Sequence, residues 1–148
     1  MLTCSYMAKI LSDARFVLFL LVVIFLLHVF ALLFHWYITV SWFDNGHHFL
    51  GGFWAASLYL YLAKAYPRCA GTGSSLLSIL LATLAFAAFL GVAWEFYEFG
   101  FDLWTAARGI PFHAQPGLAD TMSDLFFDLF GGGVLAVLYW SAVRRMNR

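Results

Sequence analysis

Three short acidic arrays hold most of the residues able to do chemistry in this 148-residue chain. Asp44, His47 and His48 stand at i, i+3, i+4; Glu95, Glu98 and Asp102 at i, i+3, i+7; Asp120, Asp124 and Asp128 at i, i+4, i+8. In a helix each spacing lays its set along one face. Imidazole with carboxylate suits Zn, Mn or Fe, and carboxylates with water suit Mg or Ca, so the arrays predict a divalent metal ion. Zn, Mn, Fe and Mg all stay open. The expected metal ligands are Asp44, His47, His48, Glu98, Asp124 and Asp128. Glu95, Glu98 and Asp120 are the candidate catalytic carboxylates, and Arg108 the cation for an anionic headgroup or phosphate. Nine potential ligands exceed the needs of one ion, which leaves open two metals or one metal with supporting bases.

Plainer readings exist for some of these residues. Asp44 and Asp120 fit equally as helix N-caps or as anions favoured at helix N-termini. That account reverses for Glu95, Glu98 and Asp102, which close a helix at the end where the dipole disfavours anions. A lone His47 or His48 would serve as an interfacial hydrogen-bonding residue; beside Asp44, the pair points to metal coordination or a proton relay. His28, His35 and His113 are expected to be structural.

The elements that position these arrays are membrane helices. With 64% hydrophobic and 11% charged residues, the chain departs far from soluble domains, which are about half apolar and a quarter charged. Apolar stretches at 16–37, 47–65, 76–94 and 125–143 are long enough to cross roughly 30 Å of hydrocarbon. No alternating strand pattern occurs, which excludes a β-barrel. The first stretch is too long for a signal peptide and lacks a small-x-small cleavage site, so it is read as a retained helix. The expected fold is all-α, a polytopic membrane four-helix bundle in a single transmembrane domain (1–148), with helices at about 14–38, 44–66, 75–104 and 119–145.

Charge orients this bundle. Lys9, Arg15, Lys64, Arg68, Arg144, Arg145 and Arg148 fall on one side of a four-helix trace and Arg108 alone on the other, which makes both termini cytoplasmic. Trp36, Tyr37, Trp42, Trp94 and Trp104 then belong to the outer interface, and Tyr59, Tyr61, Tyr66, Tyr139 and Trp140 to the inner one. Of eight acids, Asp13 alone is inside, so the outer half sets seven negatives against Arg108. A carboxylate in mid-membrane costs roughly 2.5 to 3.5 kcal/mol on insertion scales. Protons or a metal must compensate. Cys4 and Cys69 lie on the cytoplasmic side, where thiols stay reduced, and receive no role.

The loop at 105–118, with Gly109, Pro111, His113, Pro116 and Gly117, is long enough to fold over what lies beneath it. A weak internal repeat lays residues 44–52 over 124–132, matching Asp44 to Asp124, His48 to Asp128 and Gly51-Gly52 to Gly131-Gly132. Two helical hairpins related by an axis along the membrane normal would produce it. The glycines predict close packing of the second and fourth helices.

In order, Asp44-x-x-His-His-Phe-x-Gly-Gly, Trp94-Glu-x-x-Glu98 and Asp120-Thr-x-x-Asp124-x-x-x-Asp128-x-x-Gly-Gly resemble the YjdF-like group of small bacterial inner-membrane proteins. More distantly they are similar to the VanZ-like family. The likeness covers about residues 44–133. It implies a multi-pass protein of the bacterial inner (cytoplasmic) membrane and, for VanZ-like members, a connection with glycopeptide-antibiotic resistance, but no established reaction. Asp128 stands where VanZ-like members often have Asn, and no Arg directly precedes the third motif.

Three functions remain in view. One is a metal-dependent hydrolase or transferase acting on a lipid-linked or anionic envelope substrate. The second is a metal-ion or proton transporter or channel, which needs polar groups through the inner half, where 16–25, 80–92 and 134–140 offer little beyond Thr83. The third is a non-catalytic accessory protein. Membrane lipids are the expected partners, nucleic acid is not, and oligomerisation stays open.

Overall fold

The computed structural model describes residues 2–71, 73, 75–111 and 113–146, with side chains described between residues 6 and 145. Arg148 and the Cys4 side chain lie outside the described residues. Among the described residues six helices follow one another: α1 (Leu2–Leu11), α2 (Ala14–Leu33), α3 (Trp36–Thr39), α4 (Phe43–Ala65), α5 (Leu76–Ala106) and α6 (Leu118–Met146). Three are long and apolar enough to cross a membrane: Ala14–Leu33, Leu76–Ala106 and Leu118–Arg145. Helix α4 has the length, but its polar opening Asp44-Asn45-Gly46-His47-His48 and paired glycines lower its mean hydropathy.

Two local features depart from expectation. The first expected helix, 14–38, stops at Leu33, because His35 takes a left-handed conformation (φ 58°), the usual way a helix is closed. The chain restarts as α3 and folds Tyr37 back toward α2. Ahead of the first span, α1 forms a separate helix, and Asp13 caps α2 by accepting the Arg15 amide at 2.8 Å.

Contacts between helices give their directions. Along α4 and α6 the paired numbers rise together: Asn45 with Ser123, His48 with Asp128, Gly52 with Gly132. These helices are parallel. Between α2 and α4 one number falls as the other rises, Ile24 with His47 and Val17 with Trp54. Gly91 with Asp128 and Ala87 with Gly132 do the same between α5 and α6. Helices α4, α5 and α6 pack on one another, whereas α2 leans on α4, and no Cα of α2 comes within 8 Å of one of α5.

The α4–α6 crossing is set by glycine. A Cβ on Gly52 would overlap the Asp128 backbone, and one on Gly131 would overlap the Phe49 carbonyl. Any side chain there forces the helices apart. At the end of the bundle carrying α1 and the C-terminus of α6, Leu11, Ala56, Leu60, Ile79, Leu135 and Ala136 form a buried apolar core. Helix α1 is tied to it by Ser57, whose hydroxyl donates to the Leu11 carbonyl at 2.8 Å. The opposite end carries the N-termini of α4 and α6, the C-terminus of α5 and nearly all the acids.

Candidate metal centre

His48 stands at the middle of the acidic end, 5% exposed. One turn into α4, it faces α6 across the glycine crossing. Its Nδ1 lies 3.3 Å from Asp128 Oδ2, while its Nε2 lies 3.8 Å from Asp44 Oδ1 and 3.9 Å from Asp124 Oδ1. Asp44, His48 and Asp124 each offer a ligand atom within 4.8 Å of the others, as do His48, Glu95 and Glu98. Five carboxylates from three helices thus meet on one imidazole.

The Asp128 carboxylate occupies a niche that glycine leaves for it. A Cβ on Gly91 would overlap its Oδ2, and one on Gly51 would stand 3.5 Å from its Oδ1. Asp124 is 1% exposed, Asp128 5% and Glu95 6%. Burying an ionised carboxylate without partners is costly. Yet Asp124 Oδ1 and Oδ2, Glu95 Oε1 and Asp120 Oδ2 are buried with no hydrogen-bond partner among the described residues. The set is deficient in positive charge and in donors, as a divalent-cation site is before its ion is counted.

The structure divides the residues named from the sequence. It brings Asp44, His48, Glu95, Glu98, Asp124 and Asp128 together, with Asp120 one turn above Asp124. It turns His47 the other way, toward α2: Nε2 donates to the Ile24 carbonyl at 3.2 Å, and Nδ1 lies 3.3 Å from the Tyr37 hydroxyl. Adjacent helical residues point about 100° apart, so neighbouring histidines cannot share a partner unless the site lies between them. Arg108 stacks over the Trp104 ring, 4.1 Å from its centroid, rather than over the acids.

Asp102 has a separate task. It accepts the Ala114 and Gln115 amides at 2.6 and 3.0 Å, which folds the loop back over α5. Gln115, unremarked in the sequence, then donates its side-chain amide to Glu95 Oε2 at 2.5 Å. Glu98 in turn accepts the Trp94 indole N–H at 2.9 Å.

A second polar chain runs between α2 and α4. His28 Nδ1 lies 2.7 Å from the Tyr37 hydroxyl, which continues to His47. Because a carbonyl only accepts, His47 Nε2 carries a hydrogen, and a neutral His47 receives the Tyr37 proton at Nδ1. Tyr37 then accepts from His28. Burial, with the Asp44 and Glu98 carboxylates, pushes the Tyr37 hydroxyl above its ordinary pKa, so it remains a donor. Nothing in the spacing of His28, Tyr37 and His47 signals this chain, because it depends on the reversal at His35.

The family described as "Predicted membrane protein (DUF2238)" matches residues 7–145. The chain belongs to it. This is the YjdF-like group that the three motifs resemble. No curated protein and no solved structure matches the chain. In this DUF2238 protein the match reaches from α1 to the last turns of α6, so it takes in the whole acidic cluster as well as the apolar spans.

Proposed function

We propose that this DUF2238 member is a four-span protein of the bacterial inner membrane with both termini cytoplasmic, α4 being the fourth span. Its acidic end is a divalent-metal centre facing the non-cytoplasmic side, and it serves a metal-dependent hydrolase or transferase acting on a lipid or envelope substrate. One observation carries this reading: His48 is oriented through Nδ1 by Asp128 and turns Nε2 toward Asp44 and Asp124, beside buried carboxylate oxygens without partners. A carboxylate behind a histidine is the usual support for a metal-ligating imidazole.

His48 Nε2, Asp44 and Asp124 would hold the ion, with Glu95 and Glu98 completing the sphere. The two ligand groups share His48, whose Nδ1 is engaged by Asp128, and are read as one centre. One imidazole among carboxylates is compatible with Zn, Mn, Fe or Mg and leans toward the oxygen-preferring ions. When bound, such an ion polarises a carbonyl or phosphoryl oxygen and lowers the pKa of water. Asp120, half-buried at the head of α6 with its Oδ2 shielded from solvent, is placed to take a proton from an attacking water, and Gln115 keeps Glu95 in position and covers the site. Arg108, at the rim on Trp104, is left for an anionic headgroup.

The transport reading finds less support. Beyond the glycine crossing, Ser57 and Thr83 both spend their hydroxyls on backbone carbonyls, and the core around Leu60, Ile79 and Leu135 is apolar. Elemental analysis of detergent-purified protein tests the proposal: about one equivalent of a transition metal or Mg is expected, and its loss in His48→Ala. Wild-type protein without stoichiometric metal, or metal retained in His48→Ala, sinks it.

A further inference from the structure

The backbones of α2 and α5 stay apart, with no Cα of one within 8 Å of a Cα of the other, and the gap between them holds a cavity of 410 Å³. Its walls are Leu21 and Ile24 from α2, Trp54 and Ala55 from α4, and Leu90 and Ala93 from α5; His48 and Asp128 form part of its inner surface. At the acidic end it is roofed by His28 and Trp94, whose rings make an edge contact at 6.0 Å. On the α4 side, α2 is fastened by Trp54 donating to the Val17 carbonyl at 3.1 Å and by His47 donating to that of Ile24. The cavity therefore has a roof and a back wall, and its open side lies between α2 and α5. The lips of that opening continue into the apolar surface of two membrane-spanning helices, with Leu18, Val22 and Phe25 exposed on α2 and Phe89 and Phe96 on α5.

We propose that this cleft binds one hydrocarbon chain of a lipid of the surrounding bilayer, entering sideways beneath the His28–Trp94 roof, and that this lipid is the substrate of the His48 centre. Continuity with the lipid-facing surface decides the occupant: what stands at the open side of a gap between two membrane spans is acyl chain. The size and the apolar, aromatic lining with a few polar groups at one wall fall within the range of small-molecule sites, about 300–1,000 Å³. A chain seated there excludes water from His48 and Asp128, which strengthens their interaction. The binding half of the proposal stands on the cleft alone, and the substrate half rests on the metal-centre reading.

The test is photolabelling in phospholipid nanodiscs carrying a trace of phosphatidylethanolamine with a diazirine on its acyl chain, followed by peptide mapping. Adducts are expected on Leu21, Trp54 and Leu90 in excess over Phe19 and Phe96, which face outward. Ala93→Trp and Leu21→Trp, filling the cleft from opposite lips, are each expected to lower the adducts on the remaining cleft residues about tenfold while outward adducts persist. Uniform labelling of cleft and outward faces overturns the proposal, as does protein–protein crosslinking across the cleft, which would mean that a second copy covers it. His48→Ala separates the two readings: adducts retained with metal lost support both, whereas cleft adducts on a wild-type protein without metal keep the chain site and discard the metal centre and its substrate.

Discussion

Among single residues, His48 and His47 show how strongly direction governs chemistry. Both were equal candidates by spacing, yet the crossing of α4 over α6 gives His48 to the acids and leaves His47 to Tyr37 and Ile24. Asp128→Asn is therefore expected to weaken metal binding by about 10- to 100-fold, the usual cost of losing the partner that orients a ligand, while His47→Gln leaves metal content unchanged; competition titration of purified protein checks both. Gly91→Ala should act like Asp128→Asn, because its Cβ overlaps the Asp128 carboxylate. Retained metal falls with pH, since carboxylate and imidazole ligate only when deprotonated. Metal content after dialysis across pH 5 to 8 gives the sign, and a rise toward acid would contradict the site. Removing the Tyr37 hydroxyl leaves His47 Nδ1 without its donor, and Tyr37→Phe is expected to cost about 1–3 kcal/mol, read as a lower unfolding midpoint in detergent.

At the level of helices, small residues decide the architecture. Gly52→Ala and Gly131→Ala both place a Cβ inside the neighbouring backbone, so each should destabilise the α4–α6 pair by 2 kcal/mol or more, roughly the range of severe packing defects. Gly100→Ala is the control: nothing lies within 4 Å of its Cβ position, and replacing a helical glycine is worth about 0.5–1 kcal/mol in the stabilising direction. Thermal unfolding of the three variants should separate them by sign. The repeat between 44–52 and 124–132 has a physical meaning at this scale. Its equivalent residues face one another, His48 against Asp128 and Gly52 against Gly132, as two parallel helices about a shared axis require.

Across the whole molecule, the described basic residues other than Arg108 gather at the end opposite the acids, and this underlies the proposed orientation. Cys69 is a free, exposed thiol in the connection between α4 and α5. In Cys4→Ser protein an impermeant maleimide should label it in inverted vesicles and not in intact cells, and the reverse pattern would invert the topology. The proposed count of four spans rests on α4, whose polar residues His47 and His48 find their partners on α2 and α6. Such a helix is invisible to an average over its composition, yet its buried residues, His47, His48, Gly52, Ala55 and Ala56 among them, show that it forms the centre of the bundle.

Composition, the length of the apolar runs and the period of the acids were enough to establish an all-helical membrane protein with its carboxylates on defined helix faces, because hydrocarbon thickness and the 3.6-residue period act locally. The three ordered motifs were enough for the family. Which acids converge was decided by tertiary structure, since it depends on how closely Gly52 and Gly131 let α4 and α6 approach and on the angle at which they cross. The turn at His35, the seat of Asp102 beneath the loop, the reach of Gln115 to Glu95 and the gap between α2 and α5 were likewise beyond the sequence. Each joins residues more than nine positions apart or depends on a backbone conformation that residue type alone does not require.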